Sequence, residues 1–193
     1  IVYAMTIGEY AKMINGERWI NDLCDLEVIK MVNYNREQLY ELTIKPSPNL
    51  PNAKSINLYP SLCLFEGTNV SVGRGTDKPF QQFGSPYLNI YDYSFVPASR
   101  PGSKFPKHEN KVCKGENLEN YPNLNQINLG WLISSFNQTE NKDVFFNNFF
   151  DKLAGNDKLR NQIEIGLDED KIKNSWKNEL ENFKKIRLKY LVY

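Results

Sequence analysis

The first half of the chain carries three hydrophobic patterns that predict β-strands. Residues 26–32 are half alternating and rich in β-branched side chains, and residues 87–96 alternate between aromatic and polar side chains. Residues 61–65 form a short apolar run, which predicts a buried strand.

Beyond Pro122 the pattern changes, and apolar residues recur at spacings of three and four. This periodicity predicts helices at 124–136, 144–153, 157–165 and 168–190. Strands followed by helices indicate an α+β domain, with a small mixed sheet of N-terminal strands and a C-terminal group of helices. We expect the phenylalanines at 145–150 to belong to the core rather than to stack on a sugar.

Two signals near the N-terminus predict local structure. Thr6 and Glu9 have the spacing of a capping box, so we expect a short helix that ends near Gly16. Three prolines between Lys45 and Pro51 exclude a helix and predict an extended segment.

Composition narrows the class of protein. The chain of 193 residues is 40% apolar and 24% charged, which is typical of one globular domain with a hydrophobic core. Its net charge of +1 argues against a nucleic-acid partner, and no apolar run is long enough for a membrane span. The 13% aromatic content and the frequent Asn suit sugar binding, although the Asn content also fits an AT-rich genome.

Cysteine and histidine usage argues against several kinds of site. Cys24, Cys63 and Cys113 are widely spaced and form no metal-type pair, so we predict no metal site. We also predict no cofactor, because the glycine-rich segment 66–76 lacks the ending of a phosphate P-loop and is not a dinucleotide fingerprint. One disulfide plus a free thiol stays open for an exported protein, but Cys63 lies in an apolar run and predicts a buried, unreactive thiol. His108 is the single histidine, which excludes a multi-histidine metal site, and we expect it to be exposed.

The strongest candidate for chemistry is the glycine-rich segment 66–76. Its glycines allow positive φ angles and close approach to a ligand. Glu66, expected to leave a buried strand, is the candidate catalytic residue with a raised pKa, and Arg74 is suited to clamp a carboxylate. Asn69, Ser71 and Thr76 are candidate substrate-binding residues. The alternative is a structural loop in which Arg74 pairs with Glu66 and the hydroxyls cap turns.

The proline-rich segment 45–51 has two interpretations. It either forms a rigid wall that holds Ser47 and Asn49 toward a ligand, or it is a strand-like connector. We favour the wall, because a proline-rich segment beside a glycine-rich one suggests a fixed shape.

Several stretches together resemble one known family. They are MTIGE at 5–9, PSPNLP at 46–51, YP at 59–60, EGTN at 66–69, SVGRGTDKPF at 71–80, FVP at 95–97, CKG at 113–115 and YLVY at 190–193. The chain resembles the family once called DUF1343, now associated with the exo-β-N-acetylmuramidases called NamZ. The sequence PFQQFG at 79–84 resembles the corresponding segment of members from Bacteroides-type bacteria. Ser85 departs from related sequences, and we assign it no role.

The resemblance implies a two-domain glycosidase that releases terminal N-acetylmuramic acid (MurNAc) from peptidoglycan fragments without a nucleotide or a metal. Residues 1–193 would be its C-terminal domain. The active site would lie against a Rossmann-like N-terminal domain that carries the acid–base glutamate. The chain begins at Ile1 without an initiator Met, so we expect a fragment whose upstream part is missing. The resemblance implies a location in the periplasm or cell envelope. The alternatives are a non-catalytic peptidoglycan-binding or muropeptide-binding module and an envelope scaffold with no sugar site.

Overall fold

The computed structural model describes residues 4–38 and 40–193 and divides the chain into two units. The larger unit comprises Glu41–Ile172, and the smaller unit combines residues before position 41 with Lys173–Tyr193. No helix in the described ranges is long and apolar enough to cross a bilayer.

The smaller unit contains helices α1 (Ile7–Gly16) and α7 (Lys177–Leu188). The predicted capping box of α1 is confirmed, because the Thr6 N–H donates to the Glu9 carboxylate at 2.7 Å and the Glu9 N–H donates to the Thr6 hydroxyl at 3.3 Å. The strand predicted at 26–32 is wrong: these residues are mostly exposed and form no β-ladder. A β-branched pattern alone does not make a strand without a partner edge.

The larger unit begins with α2 (Ala53–Leu62), which continues into a short 3₁₀ helix at Cys63–Gly67. The buried strand predicted at 61–65 is therefore wrong. Asn52 and Ser55 form a reciprocal cap at the start of α2, and the following apolar residues are buried within a helix. A short, fully buried apolar run has no periodicity that separates helix from strand.

The sheet has three antiparallel strands in the order β1 (Gln82–Ser85), β3 (Cys113–Asn117), β2 (Tyr93–Phe95). The α+β class is confirmed, although the strands lie in the middle of the chain. Only residues 93–95 of the strand predicted at 87–96 pair in the sheet. Gly115 faces both Gly84 and Tyr93, and a side chain there would meet the Phe83 carbonyl oxygen at 1.8 Å, so close strand packing requires glycine.

The second half is helical, as predicted, but its helices are shorter. They are α3 (Gly130–Gln138), α4 (Phe150–Ala154), α5 (Lys158–Glu164) and α6 (Glu169–Ser175), with a 3₁₀ turn at Lys142–Val144. The single helix predicted at 168–190 is wrong, because the Trp176 N–H bonds to the Lys173 carbonyl three residues back and α7 begins after it.

The core of the larger unit combines aliphatic side chains, mostly leucines, with a group of packed aromatic rings. Phe65 stacks on Phe83 with centroids 5.1 Å apart. Phe145 and Phe150 are fully buried, as expected for the phenylalanine segment, whereas Phe149 is 51% exposed. The extended wall predicted at 45–51 is instead a turn, in which the Leu50 N–H bonds to the Ser47 carbonyl. Helix is absent there, as the prolines require.

Candidate functional site

Glu66 projects from the 3₁₀ helix that follows α2. Its neighbours Leu64 and Phe65 are fully buried and fix the backbone, while the Glu66 side chain is 24% exposed. The Thr68 hydroxyl donates to the Phe65 carbonyl at 2.9 Å and accepts from the Val70 N–H at 3.0 Å. Glu66 therefore lies in a 3₁₀ helix whose end is stabilised by the Thr68 hydroxyl, and not at the end of a strand.

Arg74 sits at the tip of a tight turn between two glycines. Gly73 and Gly75 have φ angles of +76° and +82°, in the left-handed region that favours glycine. The Ser71 hydroxyl accepts from the Gly73 N–H at 3.2 Å, and the Thr76 hydroxyl donates to the Gly73 carbonyl at 2.6 Å. The turn is fastened to β1, because Ser71 and Gly84 exchange backbone hydrogen bonds of 2.8 and 2.9 Å.

Glu66 and Arg74 form an ion pair at the surface of the larger unit. Arg74 Nη2 lies 2.7 Å from Glu66 Oε1, and the Arg74 side chain is 40% exposed. The guanidinium also lies 5.5 Å from the ring centroid of Phe80. Both side chains line a cavity of about 110 Å³. The ion pair expected of a purely structural loop is therefore present, and a cavity lies beside it.

Lys107 is a second cation in this cavity. Its ammonium donates to three carbonyl oxygens, those of Phe65 and Val70 at 3.1 Å each and that of Thr68. Burial lowers the pKa of Lys107 to about 8, with nearby Glu66 raising the pKa and Arg74 lowering it. Sequence reasoning missed Lys107, because it lies in a polar loop with no spacing that marks it.

Two more titratable groups, Tyr59 and Cys63, interact electrostatically with Glu66. Burial raises the pKa of the Tyr59 phenol, with further increases from Cys63 and Glu66, and the Tyr59 ring lies 5.0 Å from that of Phe80. The unreactive state expected for Cys63 agrees with its burial, which raises the pKa of its thiol to about 11. Tyr59 belongs to the YP pair at 59–60, which the sequence analysis used only for the family resemblance.

Asn69 adjoins the cavity without lining it. Its backbone carbonyl accepts hydrogen bonds from His108 Nε2 at 2.6 Å and from the Ser85 hydroxyl at 3.0 Å. Within the described residues, the Asn69 side-chain amide is buried without a hydrogen-bond partner. The expectation that His108 is exposed is wrong: it is half-buried, and burial lowers its pKa against the opposing effect of the Asn69 hydrogen bond.

The side chains of the other predicted site residues form hydrogen bonds with neighbouring protein groups. Thr76 accepts hydrogen bonds from the Lys78 N–H at 3.1 Å and from the Gln82 amide at 2.6 Å. Ser47 accepts from the Asn49 N–H at 3.2 Å, and the Asn49 amide donates to the Gly102 carbonyl at 2.9 Å. The cavity thus brings together Glu66, Ser71 and Arg74, and its lining does not include Thr76, Ser47 or Asn49.

The site has the chemistry of an anion-recognition site with one carboxylate. Two cations and one acid face the same cavity, next to the hydroxyl of Ser71. Across the described ranges, no group of three His, Cys, Asp or Glu residues is arranged to hold a metal ion. Arg74 is already paired with Glu66 and Lys107 with three carbonyl oxygens, so a ligand carboxylate would bind here by displacing one of these partners.

Solved structures share this fold. A DUF1343 family protein from Bacteroides fragilis superposes with a TM-score of 0.92 and 48% identity, over 100% of this chain and 56% of that chain. A second DUF1343 family protein from the same species has a TM-score of 0.77 at 20% identity, over 99% of this chain and 56% of that one, and supports the fold alone.

Sequence comparisons point to one family. The Bacillus subtilis peptidoglycan β-N-acetylmuramidase NamZ is 35% identical over 212 residues, which cover 99% of this chain and 50% of that protein. The chain thus spans about half the length of the relatives it matches. The model for the NamZ N-terminal domain matches residues 1–54, and the model for the C-terminal domain matches residues 57–193. The chain belongs to the exo-β-N-acetylmuramidase NamZ family.

Proposed function

We propose that this chain is the C-terminal part of an exo-β-N-acetylmuramidase that hydrolyses terminal MurNAc from peptidoglycan fragments. The cavity that holds Glu66, Arg74 and Lys107 is the observation that carries the proposal, together with membership of the family. Peptidoglycan lies outside the cytoplasmic membrane, so the periplasm or cell envelope is the proposed location.

Arg74 is the proposed partner of the lactyl carboxylate that distinguishes MurNAc from other wall sugars. The Arg74 side chain is 40% exposed and its guanidinium already has an acidic partner, so a ligand carboxylate would compete with Glu66 for its donors. Lys107 adds positive charge at the same cavity. Ser71 is the additional proposed contact, and Asn69, Thr76, Ser47 and Asn49 stay predictions.

Glu66 is the proposed contribution of this chain to catalysis. Glycoside hydrolysis uses two carboxylates, about 5 Å apart for retention and roughly 6.5–9.5 Å apart for inversion. We propose that the second carboxylate comes from the N-terminal domain of the same protein, of which residues 1–54 match one part. This division makes the isolated chain inactive.

The test uses full-length protein and chromogenic β-glycosides of MurNAc and N-acetylglucosamine. Arg74→Ala should lower kcat/KM for the MurNAc glycoside by about 10- to 100-fold, because a charge-assisted hydrogen bond is lost, and should spare the other sugar. Glu66→Gln should lower kcat by about 100-fold or more. Arg100→Ala is the matched control, because Arg100 is 41% exposed and paired with Asp77, and neither residue lines this cavity.

A non-catalytic muropeptide-binding module is the second candidate. The observation in its favour is that Glu66 and Arg74 already pair with each other beside a cavity of only about 110 Å³, below the range of about 300–1,000 Å³ usual for small-ligand sites. Full-length protein that binds muropeptides without hydrolysing the MurNAc glycoside would support this candidate. If Arg74→Ala behaves like Arg100→Ala, the carboxylate clamp is wrong.

A further inference from the structure

A groove of about 710 Å³ lies elsewhere on the larger unit, and the proposed hydrolysis does not use it. Its lining includes two aromatic rings, Phe136 and Phe146, and three asparagines, Asn137, Asn147 and Asn148. We call it the aromatic–amide groove. Its volume falls within the range of about 300–1,000 Å³ in which proteins hold small ligands.

The aromatic side of the groove is a fixed platform. The rings of Phe136 and Phe146 stack with centroids 5.4 Å apart and an interplanar angle of 27°. Phe146 also packs at 4.4 Å against the fully buried Phe150, so its ring is held in place while part of it stays exposed. A rigid, partly exposed ring offers an apolar surface to the C–H face of a sugar.

The amide side of the groove offers unused hydrogen-bonding groups. Asn137 and Asn148 are exposed, and in the part of the chain that the structure describes their side chains form no hydrogen bond. Each amide carries two donors and an acceptor, which match hydroxyl and acetamido groups. Asn147 differs, because its amide donates to the Glu66 carbonyl at 3.3 Å and accepts from the Phe149 N–H at 2.8 Å.

The cations of the groove are already engaged. Arg160 donates to both oxygens of Asp151, at 3.0 and 2.9 Å, and to Glu164 at 3.2 Å. The Lys142 ammonium is held by the carbonyl oxygens of Phe136 and Asn137.

The net charge of the groove disfavours an anionic ligand. The carboxylate of Asp143 adds to those of Asp151 and Glu164, so three acids oppose two occupied cations. The lining therefore offers acceptors to hydroxyl and amide donors rather than free cations to a ligand carboxylate or phosphate.

We infer that the aromatic–amide groove binds a neutral, N-acetylated saccharide. The partly exposed ring of Phe146, backed by the buried Phe136, takes the apolar sugar face. The free amides pair with hydroxyl and acetamido groups, and the excess of carboxylates disfavours acidic sugars. The ligand class rests on the lining alone; that the saccharide is the neutral N-acetylglucosamine of a peptidoglycan glycan rests on the proposed function.

Backbone hydrogen bonds join the segment that lines the groove to the loop of the candidate site. The Asn147 N–H donates to the Gly67 carbonyl at 2.9 Å, and the Asn69 N–H donates to the Phe145 carbonyl at 2.8 Å. The segment that forms one wall of the groove is thus hydrogen-bonded to the segment that carries Glu66. A saccharide in the groove would rest against the structure that fixes the candidate catalytic loop.

Calorimetric titration of the full-length protein with chitotetraose, a neutral N-acetylated tetrasaccharide without MurNAc, tests the inference. The double variant Asn137→Ala/Asn148→Ala should raise the Kd at least 10-fold. Asn120→Ala, at an exposed asparagine outside the groove, should leave the Kd unchanged. Aromatic proton resonances of Phe146 in the unsubstituted protein should shift on titration, which gives a readout independent of the variants.

Three results would overturn the inference: no binding of chitotetraose at millimolar concentration, binding that the double variant retains, or binding that only Arg74→Ala abolishes. Binding of a neutral peptide in place of the saccharide would also overturn it. The readout is affinity rather than hydrolysis, so loss of the proposed activity leaves this result interpretable. Saccharide binding with no MurNAc hydrolysis would count against the proposed function alone.

Discussion

The backbone N–H of Val192 donates to Glu9 Oε1 at 2.8 Å, which joins the last residues of the chain to its first helix. The same oxygen accepts from Arg36 Nη2 at 2.6 Å, and the carboxylate is fully buried. Glu9 therefore caps α1, pairs with Arg36 and holds the C-terminal segment, all within the smaller unit. One carboxylate fixes three parts of that unit.

Glu9→Gln should destabilise the smaller unit. The substitution removes a buried charge that satisfies Arg36 and two backbone N–H groups, and breaking such a pair costs about 2–4 kcal/mol. Denaturant unfolding of the chain measures the loss. Glu37→Gln, at an exposed glutamate in the same unit, is the control and should change the free energy of unfolding by less than about 0.5 kcal/mol.

The same carboxylate should make stability depend on acid pH. Burial opposes its ionisation, but the hydrogen bonds from Arg36, Val192 and Thr6 outweigh burial and lower the pKa of Glu9 from 4.5 to about 2. A lowered folded-state pKa contributes stability that is complete above pH 4.5 and is lost as the pH falls toward about 2. The contribution is on the order of 3 kcal/mol. Glu9→Gln should flatten this part of the stability profile; an unchanged slope would refute the assignment.

Gly67→Ala should destabilise the larger unit by steric conflict. A Cβ at Gly67 would lie 2.5 Å from the Phe150 Cα, and backbone at that distance must move, which costs about 1–3 kcal/mol. Gly155→Ala is the matched control, because Gly155 has open space around it and a φ of +88°, so only backbone strain of about 1 kcal/mol applies. Gly67→Ala should therefore unfold at a lower temperature than Gly155→Ala.

Local signals in the sequence predicted local structure well. Thr6 and Glu9 cap their helix because both partners lie within one turn, and the predicted helix 157–165 is found at Lys158–Glu164, shortly before Gly166 with its φ of +80°. Long-range structure was missed. β3 (Cys113–Asn117) contains Lys, Gly, Glu and Asn, and it is a strand because β1 and β2 pair with it on both sides.

The candidate site was predictable only in part. The glycines around Arg74 indicated a tight turn. Glu66 lies within the same eleven residues, so the pairing of Glu66 with Arg74 could be predicted from their closeness in sequence. Lys107 comes from a segment about forty residues further on and reaches the site by donating to backbone carbonyls, which any sequence can provide. Contacts to backbone leave no residue pattern for sequence reasoning to detect.

Lys107→Met should loosen the segment that carries Glu66. The ammonium holds the carbonyls of Phe65, Thr68 and Val70. Its loss leaves the Thr68 and Val70 carbonyls without this donor, at a cost of about 1–3 kcal/mol, whereas the Phe65 carbonyl keeps its bond from the Thr68 hydroxyl. Burial lowers the folded-state pKa to about 8, so the unfolded chain binds more protons above that pH. Lys107 therefore makes stability rise as the pH increases from about 8 to 10.5. Subtracting the variant's profile from that of the unsubstituted protein should isolate this rise, and a flat difference would contradict it.

One of the three thiols should react in the native chain. Cys24, Cys63 and Cys113 are all free, but only Cys24 is exposed. Burial raises the pKa of Cys63 to about 11 and that of Cys113 to about 12, so at pH 8 both lack the thiolate that attacks a disulfide reagent. Titration of the 193-residue chain with an aromatic disulfide should release one equivalent of thiolate from the native state and three after denaturation. Cys24→Ser should abolish the native reaction; a second fast equivalent would mean that a core around Cys63 or Cys113 opens to solvent.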